Sequence, residues 1–396
     1  MDTHRDNPML KLLSLSHLSA GFVSVLVGYT SSAVIVFQAA AAAGASTAEI
    51  SSWLWALGIG MSATCIGLSL RYRTPILTAW STPGAALLIT GLSGVSLNEA
   101  IGIFLFSSTL ITLCGISGWF EILMRQIPQP LASAMLAGVL LQFGINLFDA
   151  LETQYLLTGT MLITYLISKH AFPRFTIPIT LVVGVTIALA QGQLQFQTLS
   201  WQLSQPVWIS PSFSVTSLIG VGIPLFVVTM ASQNVPGIAV LRANGYQTPA
   251  SPLISWTGLT GMVLAPFGGF AFNLAAITAA ICMGKEADPD PSKRYMAAIW
   301  AGFFYLLTGL FGATVAALFT AFPTALVITI AGLALLGTIG NSLAASLTEP
   351  SSREAALLTF LVTASGISIG GIGSAFWGLL IGLVAYHLQR MAGRSN

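Results

Sequence analysis

Long apolar runs parted by short polar joints fill most of this chain. The runs predict spans at 18–43, 50–70, 75–95, 98–119, 129–148, 153–170 and 175–192. Seven more follow at 215–241, 252–267, 269–284, 296–318, 323–345, 354–370 and 372–390. Each holds about the 20 residues that cross a bilayer as a helix, or fewer where a break is sheltered inside protein. Between the two sets lies 193–214, a stretch rich in Gln and Ser that carries Trp201 and Trp208. It predicts a linker lying along one membrane interface, between a first unit at 15–192 and a second at 215–391.

An odd-numbered unit repeated once emerges with opposite orientation. The pattern therefore predicts an all-α polytopic membrane protein of about 14 transmembrane segments, built as two inverted seven-span repeats. That is a common architecture of secondary transporters. Matched irregularities support the repeat. The third span begins Pro75-Ile-Leu-Thr-Ala-Trp-Ser-Thr-Pro-Gly84, and the tenth is led by Pro266-Phe-Gly-Gly-Phe-Ala-Phe-Asn273. Each runs from a proline through an extended stretch into a small-residue helix. Thr82 before Pro83 reads as an N-cap with proline at the first helical position, and Asn273 reads as the cap of the second half-helix.

Charge fixes the orientation expected. The fourteen Lys and Arg residues are Arg5, Lys11, Arg71, Arg73, Arg125, Lys169, Arg174, Arg242, Lys285, Lys293, Arg294, Arg353, Arg390 and Arg394. With two spans in each gap between clusters, all of them stay cytoplasmic, as the positive-inside rule asks. Both termini are then cytoplasmic, in the inner (plasma) membrane. The 193–214 linker and the acids Glu49, Glu99, Asp149 and Glu152 fall outside. Only 7% of residues are charged and 55% are hydrophobic, with a mean hydropathy of +0.85; a soluble domain carries about 25% charged residues. A net charge of +2 in scattered loop anchors gives no nucleic-acid footprint. The N-terminal polar stretch is long for a signal peptide, so the first apolar run reads as a retained span.

The polar residues within spans carry the candidate chemistry. A broken helix leaves N–H groups needing acceptors, and a helix N-terminus favours an anion. No basic residue sits deep in a span, so an anion would be held by Ser81, Thr82, Gly84 and Asn273. The first and eighth spans correspond under the repeat. They hold Gly28-Tyr29-Thr30-Ser31-Ser32 and Ser232-Gln233-Asn234. Tyr29, Ser31 and Ser32 are balanced between interhelical hydrogen bonding and ligand contact, whereas Gln233 and Asn234, just before Pro236-Gly237, favour a site. Trp80, Phe270 and Phe272 adjoin the breaks; packing is the ordinary role of such rings, and stacking on an aromatic substrate is the other.

No Asp or Glu lies deep in a span, so the usual proton relay is missing. Glu121 and Arg125 read as a helical i,i+4 pair, and His17 as an interfacial residue. Cys65, Cys114 and Cys282 read as free buried hydrophobes without metal spacing. No cofactor is implied. No nucleophile–base constellation, paired carboxylates or P-loop is present, which argues against an enzyme.

Four strings carry a resemblance: Thr78-Ala-Trp-Ser-Thr-Pro-Gly-Ala-Ala-Leu-Leu88, Pro224-Leu-Phe-Val-Val-Thr-Met-Ala-Ser-Gln-Asn-Val-Pro-Gly237, Ala275-Ala-Ile-Thr-Ala-Ala-Ile-Cys282 and Gly371-Ile-Gly-Ser-Ala-Phe-Trp-Gly378. They resemble the benzoate–proton symporter (BenE) family, which is similar in fold to the nucleobase transporters. The resemblance implies a core domain from spans 1–4 and 8–11 and a gate domain from 5–7 and 12–14. It also implies short strands leading the third and tenth half-helices, with substrate between them. Nucleobase transporters place acids in spans eight and ten; here Gln233, Asn234 and Asn273 stand in those neighbourhoods, which suits an anionic substrate. The expected activity is uptake of benzoate or a related small aromatic carboxylate with a proton, by alternating access. An uncoupled facilitator or channel for organic anions, or a carrier of another substrate such as a nucleobase, stays open, as does a homo-oligomer.

Overall fold

The computed structural model describes residues 14–120, 128–172, 176–194, 201–285, 287–369 and 372–392. The Glu121–Arg125 pair, residues 195–200 of the linker, and Arg5, Lys11, Arg174 and Arg394 lie outside them. The first half runs α1 (Leu15–Ala42), α2 (Thr47–Tyr72), β1 (Thr78–Trp80), α3 (Thr82–Gly91), α4 (Leu97–Ile116), α5 (Gln129–Thr153), α6 (Tyr155–Ala171) and α7 (Thr176–Ala190). After the linker come α8 (Val215–Arg242), α9 (Ala250–Leu264), β2 (Phe272–Leu274), α10 (Ile277–Met283), α11 (Tyr295–Leu310), α12 (Gly312–Ala321), α13 (Thr324–Ser346), α14 (Arg353–Ala364), β3 (Ser368–Ile369), β4 (Ile372–Gly373) and α15 (Ser374–Ala392).

Among the described residues, α2, α4, α5, α8 and α13 are each long and apolar enough to cross a membrane. A sixth, α1, bends by 42° between Tyr29 and Ser32, where the Ser32 hydroxyl donates to the Gly28 carbonyl at 2.8 Å. Such back-bonding bends helices. The remaining expected spans are shorter or broken helices. The expected eleventh span at 296–318 is two helices, α11 and α12, parted at Phe311; Gly312 brings this turn against Leu54 and Ser204.

Two turns of π-helix interrupt α8, at Leu218–Gly222 and Met230–Asn234. Each ends two residues before a proline, Pro224 or Pro236. Proline cannot donate to the carbonyl four residues back and collides with it, so the helix widens. Ile223 N–H reaches Leu218 and Val235 N–H reaches Met230, five residues back.

The broken spans meet as strands. β1 and β2 pair antiparallel, with Thr78 opposite Leu274, Ala79 opposite Asn273 and Trp80 opposite Phe272. Ser81 N–H to Ala271 O (3.1 Å) and Ala275 N–H to Leu77 O (2.9 Å) extend the ladder. A two-stranded sheet has two bare edges, and lipid offers them no partners. Side chains fill them. Thr78 N–H donates to Cys65 Sγ (3.2 Å) on α2, and Leu274 N–H to Asn234 Oδ1 (3.0 Å) on α8. Ala271 takes a left-handed φ of 45° at this crossing.

Around this pair, α2 packs on α11 and α12, α4 on α9, and α1 on α3, α10 and α11. A second set packs chiefly on itself: α5 on α13 and α14, α14 on α15, and α6 on α7. The α2–α11 crossing needs glycine: a Cβ at Gly58 would overlap the Gly309 backbone, whereas Gly67 meets open space. Gly58→Leu is therefore expected to lower the unfolding temperature in detergent sharply while Gly67→Leu leaves it near the parent's. Equal melting temperatures for all three proteins would contradict this packing.

Candidate functional site

A cavity of about 490 Å³ opens where the strand-led half-helices face α5 and α13. Its wall takes Trp80, Thr82 and Pro83 from the first break, Ala275, Ala276 and Thr278 from the second, and Gln233 from the second π turn of α8. Gln129 and Ser133 of α5, Tyr305 of α11, Asn341 and Ser342 of α13, Ser32 of α1 and Ser232 of α8 add to its polar lining. Among the described residues, no Asp, Glu, Lys or Arg lines it.

The two half-helices begin differently from the sequence expectation. Ser81, not Thr82, caps α3: its hydroxyl accepts from Gly84 N–H at 3.0 Å. Pro83 has no N–H to offer, so this end is largely satisfied. Asn273 caps nothing, because it sits inside β2, and α10 starts at Ile277 behind Ala276, which has no capping side chain. The residues between them are held extended by the ladder with β1. The bare helix end therefore belongs to α10.

Of the residues weighed for the site, Ser32, Trp80, Thr82 and Gln233 reach the cavity wall. Ser81, Gly84, Asn234, Phe270, Phe272 and Asn273 are buried and are not part of it. Phe270 packs with Trp53 and Phe104, at centroid distances of 5.9 and 5.3 Å, and the Phe272 ring fills the space above Gly60. Asn273 Nδ2 donates to Ala271 O at 2.9 Å, and its Oδ1 is buried without a partner among the described residues. Tyr29 stands behind Trp80 in an edge contact at 5.0 Å. Ser32 accepts from Trp80 Nε1 at 2.9 Å, so it orients the indole. The Ser31 side chain lies outside those described.

Polar lining from α5 and α13 escaped the sequence reading. Asn341-Ser342 interrupts an apolar run just as Gln233-Asn234 does, and the same reasoning applied there would have found it. Tyr305 and Gln129 carry no such signal, since Tyr305 sits among aromatics and Gln129 begins a helix before Pro130.

The sequence matches the benzoate membrane transport protein family, BenE, over residues 11–388. The chain belongs to this family. It is 52% identical over 379 residues to the inner membrane protein YdcO of Escherichia coli, covering 96% of this chain and 97% of that one. It is 43% identical over 375 residues to the benzoate membrane transport protein of Acinetobacter baylyi, covering 95% of each. In fold it is similar to the transmembrane domain of the cyanobacterial bicarbonate transporter BicA, with a TM-score of 0.63, 14% identity, and 94% of this chain and 97% of that one covered. The murine anion transporter Slc26a9 gives a TM-score of 0.60 at 12% identity, covering 96% of this chain and 68% of that one. The BenE chain is thus a multi-pass inner-membrane transporter and not an enzyme.

Asn234 bonds to β2 from outside the cavity, and Asn234→Leu tests that assignment. The replacement strands Leu274 N–H, which costs about 1–3 kcal/mol. Chemical unfolding in detergent should register that loss, with Ser232→Ala as the unaffected comparison; an Asn234→Leu protein as stable as the parent would refute the strand-edge role.

Proposed function

We propose that this protein imports benzoate or a related aromatic carboxylate together with a proton, by alternating access. The observation that carries the reading is the cavity: apolar and aromatic walls, neutral donors and no formal charge, at the meeting of two broken spans. A carboxylate entering such a site meets no buried acid to repel it. Its oxygens would be held at the uncapped start of α10, by backbone N–H groups and the Thr278 hydroxyl, with Gln233 and Thr82 alongside. The ring would lie against Trp80, whose indole is fixed by Ser32 and Tyr29. Asn273 supports this arrangement from inside the sheet and does not touch the anion. The likeness to the benzoate membrane transport protein of Acinetobacter favours benzoate over a nucleobase.

The architecture proposed with it is fourteen spans in two inverted repeats. Spans 1–4 and 8–11 form the substrate-bearing core, and spans 5–7 and 12–14 the gate. Two things support this: the paired strand-then-helix breaks, and the self-contained packing of α5, α6, α7, α13, α14 and α15. The cavity lies between the sets, so their relative movement would expose it to either side. The described part of the linker, 201–214, laces the ends of core helices: Val207 N–H to Ser52 Oγ (2.9 Å), Ile209 N–H to Pro266 O (2.8 Å) and Ser212 N–H to Asn98 O (2.9 Å). It would lie outside, with both termini cytoplasmic.

Gln233→Glu tests the site. At neutral pH the new carboxylate should abolish benzoate binding, read by tryptophan fluorescence of purified protein, and binding should return as acid neutralises it. Gln233→Ala should weaken binding by about 1–3 kcal/mol. Parent-like affinity of Gln233→Glu at neutral pH would remove the anion from this position. Orientation is tested at Gln205, which is exposed, while the three native cysteines are buried. A Gln205→Cys protein should react with an impermeant thiol reagent in intact cells; labelling only after permeabilisation would invert the topology.

A further inference from the structure

We infer that His17 and Asp288 together form the proton site of the transport cycle, remote from the substrate cavity and linked to it through α1 and α10. The inference rests on the proton-coupled reading above. His17 was expected at an interface, yet its side chain is only 2% exposed, and Nε2 lies 2.9 Å from Asp288 Oδ2. Asp288, in the loop after α10, is 16% exposed. The other carboxylate oxygen accepts from Asp290 N–H at 2.8 Å. Arg294 is close and buried, and its guanidinium donates to the carbonyls of Asp288 (2.7 Å), Met283 (2.8 Å) and Pro289 (3.4 Å). Among the described residues, His17 is the side chain bonded to the Asp288 carboxylate.

The tautomer follows from the geometry. A carboxylate at Nε2 makes that nitrogen the N–H, leaving the lone pair on Nδ1. Nδ1 is buried and has no partner among the described residues. Adding a proton there turns a neutral imidazole hydrogen-bonded to a carboxylate into an imidazolium–carboxylate pair. The protonated pair holds the loop against α1, and the deprotonated pair releases it.

The loop also carries Lys285, Glu286, Lys293 and Asp290, of which Glu286 lies outside the described residues; Lys293 pairs with Asp290 at 3.3 Å, and Ser292 together with Lys293 holds the Asp290 carboxyl below its usual range. Tyr246 bonds to Pro291 O, with burial pushing its hydroxyl up and Arg294 partly offsetting this. Of the helices packed on α1, α3, α7, α12 and α13 carry no titratable residue; α10 has Cys282, α11 has Tyr295 and Tyr305, and α2 has Glu49, Cys65, Arg71 and Tyr72. Tyr29 is on α1 itself. None of these bonds to His17 among the described residues.

The link to the cavity is short. Ser24, two turns along α1 from His17, donates to Thr278 O at 3.0 Å. Thr278 lines the cavity, as do Val27, Gly28 and Ser32 of α1. Arg294 grips Met283, the last residue of α10. Both elements that the pair joins therefore end at the substrate.

His17→Gln keeps a donor toward Asp288 but takes no proton, and Asp288→Asn keeps an acceptor without the charge. Benzoate binding would be followed in weakly buffered detergent solution with a pH dye, and transport in vesicles. The parent should take up close to one proton per benzoate bound. Both variants should bind benzoate with proton uptake near zero and exchange it at equal pH at a rate near the parent's. Accumulation driven by an outside-acid gradient should fall at least about tenfold. Variants that keep proton uptake and gradient-driven accumulation would overturn the inference. Folded variants that lose exchange along with accumulation would also overturn it, as a structural brace does. Should His17→Gln fail to fold, Asp288→Asn carries the test alone. A parent protein that binds no benzoate overturns the transport reading itself, and the pair's role with it.

Discussion

Every polar backbone group of the β1–β2 crossing must find a partner inside the protein, and that requirement organises the site. Strands at membrane depth survive only where protein replaces water. Here the inner edges bond to each other and the outer edges to Cys65 and Asn234. Thr64 joins Thr78 through a 2.6 Å hydroxyl contact, and Ser69 brackets Ile76 through both its N–H and its carbonyl. Helices α2 and α8 are thereby locked to the strands. The half-helices that leave the strands are aimed at one place, the cavity between α1, α5, α8 and α13.

That geometry explains how a chain with no buried base in its cavity could select an anion. Ser81 satisfies the start of α3, so the uncompensated helix end is that of α10. In the proposed mode its partial positive charge, the Thr278 hydroxyl and the Gln233 amide would form a weak, neutral cradle. A weak cradle suits a carrier, which must release what it binds. Trp80 contributes a rigid aromatic wall because Ser32 and Tyr29 hold it from behind. Net charge is then settled away from the cavity, at the His17–Asp288 pair in the account proposed here.

Sequence patterning revealed much of this and missed specific parts. The hydrophobic runs located nearly every helix within a few residues, because lipid-facing and core-facing positions are both apolar. The two broken spans were legible through their prolines and the polar residues beside them. Their starts were misplaced. Ser81 and Thr82 are both good caps, and only the backbone path decides which one faces Gly84. Asn273 looked like a cap because nothing local reveals that Ala79, far away in sequence, pairs with it. Cys65 read as an inert hydrophobe, yet its sulfur serves a strand edge 13 residues away in sequence. Phe270 and Phe272 adjoin the break, but Phe270 turns to the Trp53–Phe104 cluster and Phe272 packs over Gly60. His17 has no acidic neighbour in sequence; Asp288 is 271 residues distant.

The central claim is that the carboxylate sits at the start of α10 with its ring beside Trp80. The most direct measurement is a crystal structure with bound 4-bromobenzoate, in which anomalous scattering locates the bromine. The account predicts one strong peak inside the cavity near Trp80, with the carboxylate density against Ala276, Ile277 and Thr278. A bromine peak outside the cavity, or a ligand whose carboxylate lies beside a lysine or arginine, would contradict it.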